Sequence, residues 1–273
     1  MNLHMASFDF QSIISSTDRY NFHSHTQFCD GRAPMEEFAK AAVESGMMHY
    51  GFSSHSPIPF DSPCNMSQAD VPAYLAEADR LQSEYEGKIK FYKGMEVDYL
   101  GPQWGPANPY FKSLGLDYTI GSVHFISSDE GYVDIDGHYD RFKEKMARYF
   151  ANDIRHVVET FYAQSMAMVE EGGFDMLGHL DKIGHNAGHF KPGIEEEAWY
   201  GRLVDDLIDL VISKRLPIEL NTKAWAEHHR LFPAPRYLPR LLEAGITIAV
   251  NSDAHYPALI DASRPYALSL LHR

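Results

Sequence analysis

Seven short apolar runs alternate with segments of helical pattern along this chain, and no other feature limits the fold as strongly. The runs span residues 20–25, 49–55, 89–97, 118–125, 176–180, 217–221 and 247–251. Helical patterns fill 35–45, 68–85, 140–171, 195–214 and 236–243. Gly46, Gly87, Gly172 and Gly245 each precede a new run. A glycine there stops a helix because it takes left-handed backbone at little cost. Strands alternating with helices build βαβ units and a parallel sheet. Seven units fit a closed or nearly closed α/β barrel, TIM-barrel-like, better than a short doubly wound sheet, which is the alternative. Residues 100–109 (LGPQWGPANP) and the polar stretch 127–136 read as loops. Residues 1–18 are expected to be an N-terminal arm on a single barrel domain of residues 19–273.

Composition narrows the partners. The 273 residues are 44% hydrophobic and 13% aromatic, an ordinary globular balance with enough chain for a sizeable core. A formal net charge of −14 repels polyanions, so neither nucleic acid nor an anionic membrane is an expected partner. A small phosphorylated substrate stays open, because a bound metal reverses the sign locally. No stretch approaches the roughly 18 apolar residues of a membrane helix. The opening MNLHMASFDF lacks the basic and apolar regions of a secretory signal. Two cysteines, Cys29 and Cys64, cannot make a disulfide scaffold, which suits a reducing cytoplasm.

Fifteen histidines stand out. At that frequency about one H-x-H arises by chance, so placement matters more than number. His23 and His25 end the first run, with Asp30 five residues on. His55 ends the second, Glu96 and Asp98 the third, His124 the fourth and His179 the fifth. The sixth ends in Glu219-Leu220-Asn221-Thr222, to which no ligand is assigned, and Asp253 and His255 follow the seventh. Residues i and i+2 of a strand share one side, so His23 projects with His25 and Asp253 with His255. In a β/α barrel the C-terminal strand ends converge on one mouth. Imidazole and carboxylate together suit Zn, Mn or Fe, and the six His with Asp30, Asp253 and Glu96, nine ligands without counting Asp98, exceed what one ion needs. Two or three ions are expected, with positions left for water and substrate. Asp30 before Gly31 has a second reading as a turn residue. Cys29 is read as a small buried thiol. His4, His49, His138, His156, His189 and His272 are read as surface or packing residues, while His228 and His229 are candidates for lining the mouth; Trp104, Trp199 and Trp225 are read as packing residues, with Trp104 and Trp225 in mouth-side loops where substrate contact is the second reading.

The ordered set HSHTQFCDG, FSSHSP, GMEVD, GSVH, LGHLD and NSDAH resembles the PHP (polymerase and histidinol phosphatase) family, and runs over nearly the whole chain. FDMLGHLDKI and IELNTK resemble its stand-alone histidinol-phosphatase branch. The resemblance implies a distorted (β/α)7 barrel and three divalent ions (Zn, Mn or Fe) held by His23, His25, Asp30, His55, Glu96, His124, His179, Asp253 and His255. It also implies basic residues after the fifth and sixth strands that hold phosphate. The usual arginine positions are not clearly filled here, and Lys182, His185, Lys223 and Arg230 are the candidates, with His228 and His229 beside them.

The reaction expected is hydrolysis of a phosphate monoester, most simply L-histidinol phosphate in histidine biosynthesis, releasing inorganic phosphate. A hydroxide shared by two ions attacks phosphorus, with Asp30, His179 and Asp253 carrying the chemistry and Asp30 or Asp98 as candidate acids. Three alternatives stay open. One is a phosphoesterase of the same family acting on another small ester. The second is an amidohydrolase-type barrel, which calls for a bridging lysine where Glu96 and His124 stand. The third is a metal-binding module without turnover.

Overall fold

The computed structural model describes residues 8–271. The chain opens with α1 (Phe10–Ser16), then β1 (Tyr20–Asn21), α2 (Met35–Glu44), β2 (His49–Phe52) and α3 (Val71–Glu84). Next come β3 (Lys90–Lys93), β4 (Glu96–Asp98), α4 (Pro109–Lys112), β5 (Ile120–Ser122) and a hairpin of β6 (Phe125–Ser128) and β7 (Gly131–Asp134). Helices α5 (Tyr139–Tyr149) and α6 (Ile154–Glu171) lead to β8 (Met176–Leu177), α7 (Ile183–Phe190) and α8 (Ala198–Lys214). The last part holds β9 (Ile218–Asn221), α9 (Trp225–His228), α10 (Leu238–Glu243), β10 (Ile248–Asn251) and α11 (Arg264–Leu271).

Parallel pairing gives two arcs, β1-β2-β3 and β10-β9-β8-β5-β4. Two isolated parallel bridges join them, Ser24 with Ala254 and His55 with Glu96. The first is secured by the His25 N–H donating to Ala254 O (2.9 Å), the second by the Ser56 N–H donating to Glu96 O (2.8 Å). Strands β3 and β4 are one stave interrupted at Gly94-Met95, so seven staves run round the ring, as the seven-unit barrel requires.

Several strands are shorter than their apolar runs, such as β1 (Tyr20–Asn21) and β8 (Met176–Leu177), and four further differences from the sequence reading change the architecture. The run 89–97 changes neighbours midway, since β3 pairs with β2 and β4 with β5. The run 118–125 ends at Ser122 and its last residue begins the hairpin, so the expected polar loop 127–136 is largely antiparallel strand. The long helix 140–171 is two helices, broken where Ala151 and Asn152 take positive φ (47° and 61°) and the Asp153 carboxylate caps the second by accepting from the His156 N–H. The expected arm includes α1, whose Phe10 packs with Phe22, Tyr92 and Tyr118 inside one end of the barrel. Phe8 joins them, and its N–H donates to the Asp175 carboxylate (3.2 Å). The four glycines expected as helix stops all have φ between 68° and 81°. His4 and His272 lie outside the described residues.

An aromatic plug therefore fills the N-terminal end of the barrel, and polar residues occupy the other. Helices α6 and α8 pack through Val158, Phe161, Tyr162, Tyr200 and Leu207, all buried, to form the largest outer core. Trp104 and Trp225 pack, in line with their first reading: Trp104 donates to Pro57 O (3.0 Å), and Trp225 stacks on Tyr266.

Candidate metal centre

Six of the seven staves deliver expected ligands at or beside the ends of their backbone pairing. His23 and His25 follow β1, His55 follows β2, Glu96 opens β4, His124 lies just past β5, His179 follows β8, and Asp253 and His255 follow β10. All nine expected ligands come together. His25 Nε2 stands 3.0 Å from Asp253 Oδ1 and 3.5 Å from Glu96 Oε2. Glu96 Oε2 is also 3.1 Å from both His23 Nε2 and His55 Nδ1, and Glu96 Oε1 is 2.9 Å from His179 Nε2. His124 Nε2 lies 3.1 Å from His179 Nε2. Asp30 Oδ1 is 3.3 Å from His255 Nε2 and within 3.9 Å of nitrogens on His25 and His55, so this aspartate belongs to the set.

The set fits metal ions on a test internal to the structure. His23 Nε2, His25 Nε2, Asp30 Oδ1, His55 Nδ1 and Glu96 Oε2 are buried and lack any hydrogen-bond partner. Orphaned buried donors and acceptors are costly. Five of them facing one another make sense when cations complete their bonding. Ligand atoms converge within 4.8 Å in three overlapping groups: His25-Asp30-His55-His255, His23-His25-Glu96 and His55-Glu96-His124.

Neighbouring charges set the protonation states. Burial, reinforced by His255 and His55, drives the His25 imidazole well below its usual range and leaves it neutral. Burial also disfavours the charged form of His23, but Glu219, Glu96 and Asp253 outweigh it and hold that imidazole well above the usual value. Burial opposes the charge on His124 as well, yet Asp98 and Glu96 push it up to about 9. Burial works against the Glu96 carboxylate, and His23, His55 and His124 pull it well below the ordinary range. Asp253 is likewise lowered against its burial, by Lys223 first and then His23. Burial and the Asp30 charge push the Cys29 thiol up to about 11, so no thiolate is offered.

A second ring of residues, to which the sequence reading gave no such role, orients the ligands. Glu219 is fully buried on β9; its Oε2 bonds His23 Nδ1 (2.8 Å) and its Oε1 accepts from the His179 N–H (2.8 Å). The sixth strand thus supplies an orienting carboxylate where it supplies no ligand. Asp98 Oδ1 bonds His124 Nδ1 (2.7 Å) and its Oδ2 accepts from Asn65 Nδ2 (2.7 Å), so this expected acid is occupied in holding a ligand. Asp30, the other expected acid, is held far below the usual carboxylate range by His255, His55 and His25 although burial opposes this. Asp253 sits in left-handed backbone (φ 50°), and Asn221 Nδ2 donates to its carboxylate (3.1 Å).

The four basic candidates divide into two pairs. Lys223 Nζ lies 3.4 Å from Asp253 Oδ1 and 3.3 Å from His255 Nε2. Lys182 Nζ lies 3.1 Å from Asp136 Oδ2 and 3.9 Å from Asp253 Oδ2. Both ammonium groups therefore border the ligand set. Arg230 donates instead to the buried Asp181 (2.9 Å) and to Glu195 (2.7 Å). The His185 ring packs on those of His189 and His228. Asp136, at the end of the hairpin, had no signal in the sequence beyond being a loop acid.

A barrel with this mouth defines a metal-dependent hydrolase class, and the comparisons agree. Residues 21–223 match the PHP domain family model, and the chain belongs to that family. A probable histidinol-phosphatase of Deinococcus radiodurans is 30% identical over 244 residues, covering 86% of this chain and 85% of that one. A Listeria monocytogenes protein described as a histidinol phosphatase superposes with a TM-score of 0.80 at 19% identity, over 91% of this chain and 99% of that one. The histidinol phosphate phosphatase of Lactococcus lactis, solved with Zn, L-histidinol and phosphate, gives 0.66 at 18% identity over 93% of each chain. These two likenesses bear on the fold, which is that of the α/β barrel expected. Among the described residues no helix is long and apolar enough to cross a membrane.

Proposed function

We propose that this protein hydrolyses L-histidinol phosphate to L-histidinol and phosphate in the cytoplasm, as a step of histidine biosynthesis, using three divalent ions (Zn, Mn or Fe) held by the nine residues at the mouth. The observation that carries the reading is the group of five buried, unpartnered ligand atoms with two ammonium groups beside it. The names of the Deinococcus and Lactococcus relatives support the substrate.

Ions at such a site supply Lewis-acid charge for a phosphoryl group and a water acidified to near neutrality. The chain's own residues do the rest. Lys182 and Lys223 face the ligands and neutralise the non-bridging phosphate oxygens, exchanging part of their pairing with Asp253 for the substrate. Glu219 and Asp98 fix the rings of His23 and His124, and so the direction of their free nitrogens. Asp136, partly exposed beside Lys182, sets that ammonium and adds negative charge suited to a substrate bearing an ammonium and an imidazole.

The test is phosphate release from L-histidinol phosphate beside a panel of nucleotide and sugar monoesters, with chelated protein reloaded with Zn, Mn or Fe(II). Release that is metal-dependent and selective for histidinol phosphate is expected. Release only from other esters keeps the metal chemistry and overturns the substrate; no release with metals bound overturns the reaction.

A further inference from the structure

Away from the nine ligands, three more imidazoles meet on the rim. His185 and His189 lie four residues apart on α7 and share a face of it. His228 ends α9 and reaches across to them. Ring centroids are 4.7 Å apart for His185–His189, 4.6 Å for His185–His228 and 6.0 Å for His189–His228. The close ring pairs of the metal centre span the same range, from 4.1 Å for His25–His255 to 6.1 Å for His23–His179. Simple geometry gives the same spacing: with Zn–N bonds of about 2.0–2.1 Å, three imidazoles in a tetrahedral array place their centroids about 5.2 Å apart.

The three histidines line a cavity of about 430 Å³ whose walls include none of the nine ligands. Its two arginines are already matched, Arg230 by Asp181 and Glu195, Arg236 by Glu195 and Glu196. Among the described residues no protein group hydrogen-bonds the ring of His185, although that ring is half-buried. Burial, with His189, His228 and Arg230 around it, brings its imidazole down to about 4, so its lone pair is free at neutral pH. The three sets of nitrogens do not converge to within 4.8 Å of one another. His189 and His228 are exposed, so rotation of these two rings closes the site without repacking a core.

We propose that His185, His189 and His228 form a further site for a divalent transition metal, separate from the catalytic centre, which ties α7 to α9. A set of three imidazoles favours Zn2+, Cu2+ or Ni2+ over Mg2+ or Mn2+; one carboxylate stands beside it, Glu227 Oε2 being 3.7 Å from His228 Nε2. Lys182 immediately precedes α7 and Lys223 lies two residues before α9. An ion here therefore holds together the two rim segments that carry those lysines; this consequence, unlike the site itself, rests on the function proposed above.

The experiment uses full-length protein loaded at its centre, desalted, then titrated with Zn2+ while bound metal is counted by mass spectrometry. His189→Ala and His228→Ala are made singly; both side chains are exposed, and neither is a ligand of the centre. Wild type is expected to take up one ion more than either variant, each variant binding that ion at least about tenfold more weakly. Equal uptake by all three proteins overturns the site, as does an extra ion that persists in both variants. Ion counting is independent of turnover, so an inactive enzyme with the extra ion refutes the phosphatase reading and leaves this one standing.

Discussion

Glu219 shows how much of a metal centre lies one bond behind its ligands. Its two oxygens hold the ring of His23 and the backbone of His179. Glu219→Gln keeps the volume and removes the charge. Metal affinity should fall about 10- to 100-fold, as for other residues that orient ligands, read by competition with a chelator. Asp253→Ala removes a ligand outright, so turnover should collapse by more than that in protein shown to be folded; wild-type rates would sink the scheme. Lys223 and Arg230 separate binding from stability. Lys223→Ala should raise KM for the phosphate ester about ten- to a hundredfold, the loss of a charged hydrogen bond. Arg230→Ala strands the buried Asp181 and should cost about 3–5 kcal/mol of stability by denaturant unfolding, with KM little changed. That these nine His, Asp and Glu side chains would meet at one mouth was legible because i, i+2 alternation and strand ends fix where side chains point. The roles of Glu219 and Arg230 were not. Whether a strand-end acid touches an ion or a histidine, or an arginine meets phosphate or a carboxylate, is decided by contacts between residues distant in sequence, such as Arg230 with Asp181.

At the level of elements, the ends of the barrel have separate duties. Tyr118 crosses the interior, and its hydroxyl donates to Phe22 O. A Cβ on Gly94 would come within 2.3 Å of the Tyr118 ring, which explains why a glycine stands there. This lies on the closed side, as does Phe10 of α1. Phe10→Ala should cost about 3–5 kcal/mol in unfolding free energy. The kcat of the molecules that remain folded should not change, because the plug does not touch the ligands; a fall in kcat at full folding contradicts that division. Alternation of strands and helices was legible from apolar periodicity. The breaks were not: Gly94 reads as any glycine in a run, and Ala151-Asn152 offers no proline or glycine to mark the end of α5. They go with the change of partner from β2 to β5 along the stave and with the backbone turn that lets Asp153 cap α6, both settled by neighbours outside the local pattern.

For the whole molecule, a chain of net charge −14 concentrates carboxylates at one mouth, and its stability depends on what balances them. Without metal the balance comes from protons on His23 and His124 and from the Lys223 ammonium beside Asp253. His124 is raised to about 9, against burial, by Asp98 and Glu96. Its unfolded value is about 6.5, so its contribution is fully present below that pH and is lost as pH rises through about 9. Glu96 and Asp253 are lowered, so their contribution is present above their unfolded values near 4 and is lost on acidification. Burial lowers the pKa of the His25, His55 and His179 imidazoles, so their contribution is present above about 6.5 and is lost as pH falls below it. Chelated protein should therefore be most stable near pH 7, and its Tm should fall between pH 7 and pH 10. Metal-loaded protein should not show that alkaline fall, because ions take the place of the protons. For the same reason metal affinity should rise with pH up to about 9 and then level, with protons released on binding. Thermal unfolding of stripped and reloaded protein at pH 6.5 and 9.5, with Zn2+ titrations in buffers of different ionisation enthalpy, measures both. An alkaline fall of equal size in the two forms would mean that the imidazoles of the mouth are not where protons and metal compete.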